Sequence, residues 1–143
     1  MIVYTATRQS FMDDTDRDVL VDKICTGFRD RLGRPHQAEV RAWQNSLGYM
    51  YRVLNDRELP ADAGVAIEFR LPGTSRRIDF VLSGLDAQQK AAVVIIELKQ
   101  WEMANAVQGV DGMVETIVGG GLHPVTHPSY QAWSYAAFLK DYN

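Results

Sequence analysis

The stretch Ala-Ala-Val-Val-Ile-Ile-Glu-Leu-Lys-Gln-Trp, from Ala91 to Trp101, constrains this chain more than any other. Its β-branched run favours a strand. A strand sends alternate side chains to one face, so Glu97 and Lys99 are expected side by side at the end of a buried strand. Taking charge out of water is costly unless the charge is paired, hydrogen-bonded or bound to a metal. The pair therefore needs either a structural partner or a chemical role.

The 143 residues, 46% hydrophobic and 23% charged, supply enough apolar material for one core and too little length for two. A single domain spanning 1–143 is expected. Cys25, the one cysteine, cannot form an intrachain disulfide, which suits a reducing compartment. No apolar run approaches the length of a bilayer crossing, and the N-terminus lacks a basic-then-apolar secretion signal, so the expectation is a cytoplasmic protein without membrane contacts. A formal charge of −3 argues against a large basic footprint for nucleic acid while leaving room for a local basic groove.

Ile2 to Tyr4 reads as an opening strand, and Asp13, Asp14 and Asp16 then place negative charge at the start of a helix. Val21, Ile24, Cys25, Phe28 and Leu32 continue that helix, with Gly33 as a left-handed cap and Pro35 as its stop. A second helix is predicted over Gln37 to Leu54, since Trp43, Leu47, Met50 and Leu54 recur at three to four residues. One turn back along that stripe stands Glu39, either a first-turn acid favouring the helix dipole or a carboxylate facing a site.

Asn55 to Gly64 reads as a loop. Val65 to Leu71 and Arg77 to Leu82 then form a hairpin around Pro72-Gly73-Thr74-Ser75. With Gly73 and Thr74 as the loop residues, Glu68 falls opposite Asp79 and Arg70 opposite Arg77, all on one face; Phe69, Leu71, Ile78 and Phe80 make the core face. The short polar link from Ser83 to Lys90 makes the Ala91 strand an antiparallel neighbour of the second hairpin strand. Further on, Glu102 to Val110 is a loop or short helix, Met113 to Val118 a strand ended by glycines, and His123 to Pro128 extended or turning. Pro128 opens a last helix to about Tyr142 that carries Gln131 and Tyr135 on one face.

Asp79 on one strand and Glu97-Leu98-Lys99 on the next thus bring two carboxylates and an amine together. Two carboxylates suit a hard cation, with the Leu98 carbonyl able to complete its shell, and Lys99 can steady an attacking water or the charge on a phosphoryl group.

Asp79 followed by Glu97-Leu98-Lys99 resembles the Asp…Glu-x-Lys signature of the PD-(D/E)XK nuclease superfamily. Gln131-Ala-Trp-Ser-Tyr135 is similar to the Gln-x-x-x-Tyr motif of its RecB-type members. More closely, the segments Trp43–Leu47, Val65–Phe69, Ile95–Trp101, Gly119–Gly121 and His127–Trp133 resemble the nuclease-like N-terminal domain found ahead of Schlafen group 3-like DNA/RNA helicase domains.

The resemblance implies an α/β (α+β) fold with a restriction-endonuclease-like αβββα core, a mixed or antiparallel sheet flanked by helices, and the final strand absent. The chain would then be a fragment of a longer nuclease-helicase protein or a shorter natural version. It also implies Mg²⁺ or Mn²⁺ as cofactor, nucleic acid as partner with DNA ahead of RNA, and a C-terminal helicase domain in the parent protein. Asp79 and Glu97 would hold metal, Lys99 would be the catalytic amine, Gln131 and Tyr135 would line the site, and Glu39 or Glu68 would be a third acid. No Walker A pattern is present.

The expected function is a metal-dependent nuclease. The alternatives are a weak or inactive nuclease-fold module that binds nucleic acid for a helicase, and a protein-interaction domain using the surface left by the missing strand. Simpler structural roles also compete: Glu97 and Lys99 as an edge ion pair, Arg70 and Arg76 or Arg77 as solvated charge near a turn rather than phosphate contacts, and Trp101 as a sheet-end packing residue rather than a base-stacking platform. His123 and His127 have zinc-like spacing, but the prolines between and after them prevent the helix that would align them.

Overall fold

The computed structural model describes residues 1–142, and Asn143, the last position of the expected domain, lies outside them. In chain order the elements are β1 (Ile2–Thr7), α1 (Arg8–Asp16), α2 (Leu20–Leu32), α3 (Gln37–Leu54), β2 (Gly64–Arg70), β3 (Arg77–Leu85) and β4 (Ala91–Ile96). β5 (Asn105–Ala106), β6 (Met113–Val118), β7 (Gly121–Thr126) and α4 (Pro128–Asp141) follow. The fold is α+β, with an antiparallel sheet ordered β1-β2-β3-β4 and a smaller antiparallel sheet ordered β5-β6-β7. The succession α3-β2-β3-β4-α4 gives the expected αβββα order, with the β5-β6-β7 meander interposed before α4. Among the described residues no helix is long and apolar enough to cross a membrane.

α3 runs over the predicted span, and its stripe of Trp43, Leu47, Met50 and Leu54 is buried. These side chains join Phe11, Ile24 and Phe28 from the first two helices and Val65, Ile67 and Phe80 from the sheet. The acids foreseen at a helix start instead occupy the end of α1, and α2 begins only at Leu20. Two features explain the division. Asp18 turns the chain through a left-handed backbone at φ 56°, and the Asp14 carboxylate faces inward, accepting from the Tyr4 hydroxyl at 2.9 Å and the Lys23 ammonium at 2.7 Å. Burial pushes the Asp14 carboxyl up, and those two donors outweigh it and hold it below the usual range. Gly33 does end α2 with a positive φ of 93°, but its ψ of −167° is extended rather than helical, so it is not the left-handed cap expected.

The hairpin has the predicted register, with Arg70 opposite Arg77 and Phe69 opposite Ile78. Its proposed core face does not exist as one surface. Phe80 packs with Val65 and Ile67 beneath α1 to α3, whereas Leu71, Ile78 and Phe69 belong to a second cluster with Tyr135 of α4. Glu68 is the reason: at φ 56° its backbone is left-handed in mid-strand, which breaks the two-residue alternation between Ile67 and Phe69. The partners on β3 split the same way, Phe80 with Ile67 and Ile78 with Phe69.

β4 pairs with β3 as expected, but it is the sheet edge rather than a buried strand, and Val93 and Val94 are exposed. It also stops at Ile96, so Glu97 and Lys99 stand beyond the ladder. The Leu98 N–H donates at 2.8 Å to the Asp79 carboxylate, which draws the chain out of strand pairing there.

The meander adds two strands that the sequence left as loop, turn or extended segment. β5 is only two residues long, and β7 includes Pro124, tolerated because β7 is an edge strand where a missing N–H is not required. Gly119 and Gly120, both with positive φ, form the two-residue turn between β6 and β7. α4 starts at Pro128 as predicted, and His127 caps it by accepting from the Ser129 N–H.

Candidate active site

Four residues after β4, Glu97 to Gln100, are fastened to three separate elements. Leu98 donates to Asp79 on β3, Gln131 of α4 donates to Glu97 Oε1, and Gln100 reaches α3. Gln100 Nε2 donates to the Ala42 carbonyl at 2.9 Å and to the Ser46 hydroxyl at 3.1 Å, while Asn45 donates to Gln100 Oε1 at 3.3 Å. A segment without strand or helix structure is thereby held at fixed positions.

Glu97 is the centre of the cluster. Its side chain is only 4% exposed, and Oε1 accepts from Lys99 Nζ at 2.7 Å as well as from Gln131. Gln131 Nε2 also donates to the Tyr135 hydroxyl at 2.7 Å, four residues along the same helix. Asp79, Glu97, Lys99, Gln131 and Tyr135, spread over three parts of the sequence, therefore meet. Glu97 Oε2 is buried with no hydrogen-bond partner.

Electrostatics make that orphaned oxygen informative. Burial, reinforced by the neighbouring Asp79 charge, pushes Glu97 up to about 7 against the pull of the Lys99 ammonium. Burial likewise raises Asp79, although the Leu98 N–H and Lys99 favour its charged form. Burial raises both carboxyl groups and the Asp79 charge adds to the cost of ionising Glu97, so the pair is short of positive charge.

A second group of acids flanks the first. Trp43 Nε1 donates to Glu68 Oε1 at 2.9 Å, and Arg77 bridges Glu68 at 3.2 Å and Glu39 at 2.6 Å while its guanidinium lies 5.0 Å from the centre of the Phe28 ring. Burial raises Glu68 above the ordinary range despite the Trp43 bond. Burial also acts on Glu39, but the Arg77 bond and the His36 N–H prevail and hold it low. Glu39 is both a helix-capping residue, accepting from the His36 N–H at 2.9 Å, and a wall of the cleft. That cleft, of about 280 Å³, is lined by Glu39, Trp43, Glu68, Arg77, Asp79 and Leu98 among others.

Among the described residues no three His, Cys, Asp or Glu side chains form a ready metal cage. What the site offers a hard cation is narrower: the Asp79 and Glu97 pair with the unpartnered Oε2. That set fits Mg²⁺ or Mn²⁺, which take one or two carboxylates and keep several waters. Leu98 is seen to contribute its N–H, to Asp79. Glu39 and Glu68, the two rivals for a third acid, are both engaged by Arg77.

The shifted acids set a pH dependence. An ordinary glutamate titrates near 4.5 and Glu97 near 7, so between these values the unfolded chain gives up a proton that the folded chain retains. Stability is lost over that interval and the penalty stays constant above it. Glu68 and Asp79, also raised, act in the same direction, whereas the stability lent by the lowered Asp14 and Glu39 disappears only as pH falls through their depressed values. The cation-free protein should have its highest Tm at mildly acidic pH, a falling Tm up to pH about 7, and a plateau beyond. Thermal melts across pH check this, and a Tm that rises over the interval would contradict it.

Sequence reasoning missed three participants. Trp43 was read as core only, yet its indole N–H carries the Glu68 bond. Arg77 reads from sequence as solvated charge or a phosphate contact, and its side chain is instead 29% exposed between two acids. Gln100 had no local signal; only its place directly after Lys99 hinted at it.

No family model, curated protein or solved structure matches the chain.

Proposed function

We propose that the chain is a metal-dependent phosphodiesterase of the PD-(D/E)XK type, a nuclease domain acting on DNA or RNA. The observation that carries this reading is the buried Asp79 and Glu97 pair with its unpartnered oxygen, and Lys99, Gln131 and Tyr135 gathered on the same carboxylate. A divalent cation bound there would lower the pKa of a coordinated water and offset charge on the scissile phosphate.

The chain's own groups have separable tasks. Asp79 is oriented by the Leu98 N–H and Glu97 by Lys99 and Gln131, so both carboxylates are fixed before any ligand arrives. Pre-orientation of this kind spares reorganisation when charge develops. Lys99, partly exposed beyond the strand end, can follow developing negative charge on a phosphoryl oxygen while staying tied to Glu97. Tyr135 fixes the Gln131 amide and thereby the Glu97 carboxylate, which makes both helix residues positioning groups.

Incubating the protein with single- and double-stranded DNA and RNA in Mg²⁺ or Mn²⁺ tests the reading. Cleavage should require the cation and fall by about 10²- to 10⁴-fold in Lys99→Ala. Cleavage that survives this substitution unchanged removes the catalytic assignment. Saturable cation binding without turnover would instead favour a module that binds nucleic acid for an attached helicase.

A further inference from the structure

A second groove opens beside Lys99, adjoining the acidic cleft and sharing Ser46, Leu98 and Gln100 with it. It holds about 430 Å³, within the roughly 300–1,000 Å³ of small-molecule pockets, and runs between α3 and the segment after β4. Tyr49 and Trp101 are its aromatic walls, Asn45, Ser46 and Gln100 its neutral polar groups, and Lys99 leads from it to the carboxylates.

Three features of α3 fit this groove to a planar, electron-rich ligand on an anionic chain. Tyr49 is 66% exposed although it is a large aromatic residue, and the Arg52 guanidinium lies over its ring at 5.4 Å, which steadies the ring. Arg41 and Arg52 are the only charged residues from Val40 to Leu54, both exposed, so this helix is locally basic in a chain of net charge −3. Gly48 lies exposed beside Tyr49, and a Cβ added there would meet nothing within 4 Å. Glycine in mid-helix costs about 1 kcal/mol relative to alanine, and no packing in the fold requires it here. A bare backbone at that point leaves room for a ligand to approach the helix closely.

We infer that this groove seats an unpaired nucleobase against Tyr49 and Trp101, which makes the preferred nucleic acid single-stranded. Bases have π faces that stack on aromatic side chains without regard to sequence, and a duplex keeps those faces occupied by their neighbours. The strand's phosphates run along Arg41, Arg52 and Lys99, and Lys99 delivers the adjoining phosphate toward Glu97. Glu102, also in the groove, is its one acid and sits on the segment beyond Trp101. This inference rests on the nuclease reading only for the direction in which the strand runs.

The test measures binding of a fluorescent oligothymidylate and of a duplex of equal length to the full chain by anisotropy, in EDTA so that no cleavage occurs. Single-stranded DNA should bind at least tenfold more tightly than duplex. Tyr49→Ala and Trp101→Ala should each weaken it by roughly 5- to 100-fold, the range expected for one stacked base. Gly48→Gln should weaken it too, while Tyr49→Phe and Trp101→Phe, which keep the ring, should stay within about threefold of the parent. Equal affinity for duplex, or undiminished binding by both Tyr49→Ala and Gly48→Gln, overturns the inference. The two proposals fail separately: ring-dependent binding with no Mg²⁺-stimulated cleavage removes the nuclease and leaves the groove, and cleavage with ring-independent binding does the reverse.

Discussion

Asp79→Asn should abolish saturable Mg²⁺ binding and lower phosphodiester cleavage on the order of 10²- to 10³-fold, while making the cation-free protein more stable than the parent. The first effect follows from removing one of the two carboxylates available to the cation. The second follows from relieving a strain that the parent carries. Asp79 and Glu97 are both buried and the Asp79 charge raises the cost of ionising Glu97, so a neutral amide at position 79 lets Glu97 ionise more easily. The asparagine carbonyl can still accept the Leu98 N–H, so the segment after β4 keeps its anchor. A gain of about 0.5–2 kcal/mol is the usual return for relaxing a site of this kind. Calorimetric cation titration, a cleavage assay and urea unfolding read the three consequences. Loss of stability together with loss of activity would mean that Asp79 serves the fold and not a reaction.

Arg77→Met should be the most damaging surface-accessible change, costing about 2–3 kcal/mol, toward or below the low end of the range for breaking a buried charge pair because the guanidinium is 29% exposed. Methionine preserves much of the apolar contact with Phe28 but leaves Glu39 and Glu68 without their shared cation. Glu68 suffers more, being 8% exposed and held in a left-handed backbone. Adding Glu68→Gln should return a large part of the loss, since the amide can still accept from Trp43 and brings no charge. Urea unfolding of the two single variants and the double variant gives the coupling directly. Additive losses would show that Arg77 does not stabilise Glu68.

Local chemistry accounts for what the sequence made visible. The α3 stripe follows from helical periodicity, the hairpin register from Gly73 and its turn, and the start of α4 from Pro128. The meeting of Asp79 with Glu97 was legible because antiparallel neighbours were linked by a short connection. The remainder depends on long-range partners. Nothing near Asp14 announces that Tyr4 and Lys23 will bury it at the end of α1. Nothing within β2 foretells that Glu68 will break the alternation, because the left-handed backbone is maintained by Trp43 and Arg77 from other elements. β4 ends early for a similar reason: a carboxylate 19 residues upstream captures the N–H that would have continued the ladder.

The three attachments of Glu97 to Gln100 also fix when the site can exist during folding. Asp79 and Glu97 can come together once the β3-β4 hairpin has formed, but the Gln131 contact closes a loop of 34 residues and the Gln100 contact with Ala42 one of 58. Loop closure of that span comes late and demands that both helices have docked. A chain emerging during synthesis therefore carries the acidic pair for some time before its supporting helix is made. The arrangement of Glu97 among Lys99, Gln131 and Tyr135 is thereby deferred until the tertiary structure is complete.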